Sequence, residues 1–137
     1  MNLRDREDAL FDEWRTNRGR FVKDGAGCRF EQQRARILFI LKEVNDTDDG
    51  DWDLRKIIDY GNVAATWNNI ARWTAHILDG AVFEQVRTID QETRANYTSR
   101  IAAMNLKKAA GGRYCCKKNF RILARNIDSR IRCVAQD

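Results

Sequence analysis

The stretch Arg36 to Gly50, RILFILKEVNDTDDG, constrains the fold more than any other. Its five apolar residues Ile37, Leu38, Phe39, Ile40 and Leu41 stop abruptly at Lys42-Glu43 and give way to an acidic loop. They lack the alternation of a half-exposed strand. A short β-rich apolar run bounded by charge predicts a strand covered on both faces, as in a parallel sheet. Ligands collect beyond the carboxyl ends of such strands, which directs attention to the loop that begins at Lys42.

A chain of 137 residues falls within the usual size of one domain, and 43% apolar with 33% charged residues is a globular composition. No apolar run approaches the roughly 20 residues of a membrane span, and the charged start MNLRDRED is not a secretory signal. A cytoplasmic protein without a membrane partner is therefore expected. Cys28, Cys115, Cys116 and Cys133 form neither a close disulfide framework nor the C-x-x-C knuckles of a zinc module, so reduced thiols and no metal are expected.

The charge is uneven. From Ser99 onward ten Lys/Arg face two acids, giving +8 and leaving −3 for the preceding residues, against a total of +5. Such a basic end is either a solvated helix face or a surface that draws phosphate backbones through a salt-sensitive attraction.

Along the chain, Leu10, Phe11, Trp14 and Phe21 recur at helical spacing within an amphipathic helix from Arg4 to about Val22, with Trp14 and Phe21 as core anchors. Asp24-Gly25-Ala26-Gly27 reads as the turn that ends it. The run Asn45 to Asp51 tempts a calcium-loop reading. With Gly50 at the sixth position, however, the third ligand would be Thr47 and the twelfth Lys56, where a bidentate Glu is needed. An acidic turn is the better account, with Asp51 or Asp53 capping a helix from about Trp52 to Tyr60 that Gly61 stops.

A longer helix follows over Ala65 to Leu78, with Trp67, Ile70, Ala71, Thr74, Ile77 and Leu78 inward and Trp73 and His76 beside the stripe. His76 is read as a surface histidine. Val82 to Ile89 is ambiguous, and Gln91 to Tyr97 is helical. The second apolar run, Ile101 to Leu106, predicts a second parallel strand, since the intervening helices exceed the dozen residues of a crossover. Tyr114 to about Val134 predicts a basic amphipathic helix with Phe120, Leu123, Ala124, Ile127 and Ile131 on one side and Arg121, Arg125 and Arg132 on the other. Two strands do not make a stable covered parallel sheet. Further strands, or a chain that is part of a larger α/β domain, are expected.

The succession FVKDG, ILFILKEVND, DLRKII, TWNNIARW and AAMNLKK, over about residues 10 to 115, resembles the bacterial uracil-DNA glycosylase-like proteins of the uracil-DNA glycosylase superfamily. The resemblance implies a single three-layer α/β/α domain with a parallel sheet, here shortened at its C-terminal side. It also implies base excision on DNA, hydrolysis of an N-glycosidic bond without a cofactor. The superfamily's loop after the first strand, commonly G-E-x-P-G, positions water against the sugar. Here Lys42-Glu43-Val44-Asn45-Asp46 occupies its place, without the glycine and proline. Glu43 matches the acidic position and Asn45 is a candidate to position water; an ordinary ion pair for Glu43 is the alternative. Asn105 would meet the flipped base, whose edge suits an amide that both donates and accepts. Lys42, Lys107, Lys108 and Arg113 would follow the DNA backbone. The superfamily's H-P-S-like loop has no counterpart, so an inactive excision fold is one expectation. A non-catalytic basic α/β module for nucleic acid or a protein partner is the other, and a scaffold that meets no nucleic acid is the third.

Overall fold

Asn2 opens the first helix, α1 (Leu3–Arg18), by a reciprocal cap. Its side-chain oxygen accepts from the Asp5 amide at 2.9 Å, while Asp5 accepts from the Asn2 amide at 3.1 Å. In this computed structural model the described residues are 2–18, 21–42, 52–61 and 65–108. Phe11 is buried, as is Phe21, and with Trp14 they form an aromatic trio whose ring centroids lie 5.7 to 6.3 Å apart. Leu10, expected on that stripe, is exposed.

The predicted turn after α1 is instead a strand. Gly25–Ala26 forms β1, which pairs antiparallel with β3 (Ala102–Asn105), and β3 pairs in parallel with β2 (Leu38–Leu41). The sheet order is β1-β3-β2. The predicted parallel pair is therefore present, but the sheet is mixed and has three described strands rather than two. A two-residue Gly-Ala strand carries no periodicity, so only its partner reveals it. Gly25 supports this course with φ +142°, and a side chain there would collide with the Glu7 carboxylate.

The chain between β2 and β3 supplies the helical layer: α2 (Leu54–Tyr60), α3 (Ala65–Asp79), a 3₁₀ turn over Phe83–Val86, and α4 (Gln91–Thr98). Asp53 caps α2 by accepting from the Arg55 amide at 3.0 Å, and Gly61 ends it in the left-handed region at φ 69°, both as predicted. Asp90 caps α4 through the Thr93 amide at 2.7 Å. Leu54, Ile58, Trp67 and Ile70 pack on Ile101 and Ala103, with Ile37, Phe39 and Leu41 around them. A second cluster joins Ala71, Ala75, Val86 and Ile89. Ile77, assigned inward, is exposed, and so is His76, as predicted.

β2 departs from expectation in one further respect. Only Ile37, Phe39 and Leu41 face the helices. Leu38 and Ile40 are 52% and 60% exposed. The uniform apolar run thus describes two different faces, one packed and one open among the described residues. The described chain is a mixed α/β fold, and none of its helices is long and apolar enough to cross a membrane.

Candidate functional site

The parallel ladder continues past the strands. The Leu106 amide donates to the Leu41 carbonyl at 2.8 Å and the Lys107 amide to the Lys42 carbonyl at 3.0 Å. These bonds set Lys42 and Lys107 side by side where both strands end. Lys108 follows, and its carbonyl accepts from the Val22 amide at 2.6 Å, which ties the segment before β1 to the exit of β3.

Asp24 lies beneath this exit. Its Oδ2 accepts from the Asn105 amide at 2.7 Å and from Lys108 Nζ. The Asp24 side chain is 5% exposed and that of Lys108 15%. Burial pushes the Asp24 carboxyl above its usual range, against the pull of Lys108 and of the Asn105 hydrogen bond. Asp24 was read from the sequence as a turn residue. Its signal, an acid two residues after the buried pair Phe21-Val22, becomes meaningful only once β3 is beside it.

Asn105 is enclosed on the helical side of β3, in line with Ile101 and Ala103, and its register partner is Leu41. It is 1% exposed, yet its Nδ2 has no hydrogen-bond partner among the described residues. A buried amide donor left unpaired costs about 1–3 kcal/mol, so its presence in an otherwise apolar layer asks for a reason. Of the predicted site residues, the structure brings Lys42, Asn105, Lys107 and Lys108 to one end of the parallel pair. Glu43, Asn45 and Arg113 lie outside the described residues, as do the acidic turn over 45–51, the basic helix expected over 114–134, and Cys115, Cys116 and Cys133.

A charged cluster braces the same region. The Lys23 amide donates to the Trp52 carbonyl at 3.1 Å, and the Leu54 amide returns to the Lys23 carbonyl at 2.9 Å. This stitches the start of α2 to residues 22–24. Arg55, almost wholly buried, reaches both oxygens of Asp53 at 2.9 and 2.8 Å, Asp8 at 2.7 Å and Glu7 at 3.4 Å. Hydrogen bonding to Asp53 holds the guanidinium charged beyond its ordinary range. Its bond to Asp8 lowers that carboxyl, and for Asp53 the Arg55 bonds outweigh burial. Glu7 goes the other way, because burial dominates. The sequence shows these charges but not that one arginine gathers them.

A separate cleft of about 250 Å³ lies near the start of β3, lined by residues that include Arg4, Ala26, Gly27 and Cys28. Arg4 is held there by the Ala26 carbonyl at 3.0 Å and Asp59 at 2.9 Å. The Cys28 amide donates to Asp59 at 2.8 Å, and burial, then the Asp59 charge, push the thiol's pKa up. A thiol so placed is a poor nucleophile. His76 lies away from both places, its Nδ1 3.1 Å from the Ala81 carbonyl. Comparison of the chain with protein-family models, with curated proteins and with solved structures gave no match.

Proposed function

We propose that this chain is a three-layer α/β/α DNA-binding domain of the base-excision type, uracil-DNA glycosylase-like, whose site lies at the carboxyl ends of β2 and β3. In this reading Lys42, Lys107 and Lys108, with Arg113, follow the phosphate backbone. Lys108 is steered by Asp24. Asn105 reads the edge of an extruded base, its amide supplying both a donor and an acceptor. Glu43 orients a water or offsets positive charge growing on the sugar as the base leaves, and Asn45 positions that water.

One observation supports this reading above the others. An unpaired buried amide donor stands directly behind two lysines that the strand ladder fixes side by side. The same observation also supports the alternative, a basic module that binds without excising. Asn105 is sealed at 1% exposure, so a base reaches it only if the packing around Leu41 and Asn105 opens.

The test is incubation with single- and double-stranded DNA carrying uracil, scored for abasic sites and for mobility shift over a salt series. Excision that is lost in Glu43→Gln while binding persists supports the catalytic form. A salt-sensitive shift without abasic product supports binding alone. Absence of any shift at low salt, where phosphate attraction is strongest, overturns both.

A further inference from the structure

The two edges of the described sheet are finished differently. At β1 the edge is closed by side chains of α1, since Glu7 accepts from the Ala26 amide at 2.9 Å and Arg4 donates to the Ala26 carbonyl at 3.0 Å. β2 forms the other edge. The Ala102 amide donates to the Ile37 carbonyl at 3.0 Å and the Leu106 amide to the Leu41 carbonyl at 2.8 Å, so Ile37, Phe39 and Leu41 turn their main chain towards β3. Leu38 and Ile40 turn theirs outward, where neither main chain meets a hydrogen-bond partner among the described residues.

Apolar side chains flank this edge on both faces. On one, Leu38 and Ile40 are more than half exposed, while their register partners Ala102 and Met104 are buried and half-buried. The exposure thus belongs to the edge strand and not to the face as a whole. On the helical side Phe39 stacks on Trp73 of α3, with ring centroids 6.2 Å apart and planes 16° apart. Trp73 is itself 56% exposed, as is Ile77 one turn along. A cation stands at each end of the strand, Arg36 before it and Lys42 after it, both exposed.

We propose that the outer edge of β2 receives an extended segment of a partner protein as an added strand, rich in β-branched residues and acidic at both ends. The main chain selects the class of ligand. Outward N–H and C=O groups at alternate residues are matched by another extended chain, whereas a helix satisfies its own backbone. An added strand lies about 4.8 Å beyond β2, so its alternating side chains meet Leu38 and Ile40 on one face and Trp73 and Ile77 on the other. Charge selects the ends. A second copy paired antiparallel through both Leu38 and Ile40 would set each Arg36 against the other copy's Lys42, and like charges across a strand pair repel. Exposed edges are ordinarily blunted by charge, proline or a bulge, yet Leu38 to Leu41 carries neither charge nor proline.

Amide exchange read residue by residue by NMR on the full chain tests this, with the heptapeptide acetyl-Glu-Ile-Thr-Val-Thr-Ile-Glu-amide as probe. In the free protein the Leu38 and Ile40 amides are expected to exchange fast and those of Phe39 and Leu41 slowly. Added peptide should slow Leu38 and Ile40 and shift the Trp73 indole signal. The same peptide with lysine at both ends should bind about tenfold more weakly, since two attractive cross-strand pairs become repulsive. N-methylation of its three central residues, which removes their N–H donors, should abolish binding. Leu38 and Ile40 amides that are slow in the free protein at every concentration overturn the proposal, because the chain then fills its own edge. Slowing that grows with protein concentration assigns the edge to a second copy and overturns it as well. Binding that survives N-methylation or is indifferent to the end charges overturns it too, as does exchange at Leu38 and Ile40 that millimolar peptide leaves unchanged.

Discussion

Replacing Asn105 by valine separates a residue kept for a ligand from one kept for the fold. The Asn105 side chain is enclosed at 1% exposure with Nδ2 unpaired among the described residues, a penalty of about 1–3 kcal/mol to the ligand-free protein. Valine removes that penalty, suits a strand, and leaves the main-chain donor to Asp24 in place. Valine is one heavy atom smaller and branches at Cβ rather than Cγ, so repacking around it offsets part of that gain, by about 1 kcal/mol. The net expectation is a protein more stable by about 1 kcal/mol, seen as a higher urea midpoint at unchanged slope. Affinity for uracil-containing DNA should fall at the same time, since the amide proposed to read the base is gone. Destabilisation by more than about 1 kcal/mol would refute the reasoning, because it would mean that the amide is already satisfied in the free protein. Unchanged DNA affinity would remove Asn105 from the site.

Other perturbations address the charges and turns around it. Arg55→Met leaves Asp53, Asp8 and Glu7 facing one another without their shared cation and should cost about 3–5 kcal/mol in chemical denaturation. For Asp24 the folded carboxyl titrates above its unfolded value of 3.8, so the folded state takes up the proton first. Stability of the parent relative to Asp24→Asn should therefore rise as pH falls from neutrality towards 4, then level off once both states are protonated. A difference that shrinks with falling pH would show that Lys108, not burial, governs this carboxyl. Gly61→Ala places a Cβ 2.7 Å from the Ala95 amide nitrogen at a φ of 69° and should lower stability by upwards of 1 kcal/mol, measured by thermal or urea unfolding.

The local signals held where a single residue or a period determines the outcome. Asp53 as cap and Gly61 as left-handed stop sit at the two ends of a helix whose interior the apolar spacing located. The two apolar runs became adjacent parallel strands, with the chain between them long enough to cross over. From these, Lys42, Asn105, Lys107 and Lys108 could be placed at one end of a sheet before any coordinate was known. Such assignments rest on backbone propensity and on side-chain periodicity, both of which are properties of a short window.

What tertiary structure decided is the pairing of distant pieces. Nothing within Gly25-Ala26 announces a strand; it exists because Ala102 and Ala103 lie alongside and Arg4 and Glu7 close its outer edge. Ile37 to Leu41 is uniformly apolar, yet only three of its residues meet the helices, since a run that lacks alternation does not say which face is covered. Asp24 looked like a turn residue and proved to be a buried anion that receives Asn105 and Lys108 across 81 and 84 residues of chain. Burial, orphaned donors and shared cations depend on what arrives from elsewhere in the sequence, and the free energy of a buried polar group is set by those arrivals.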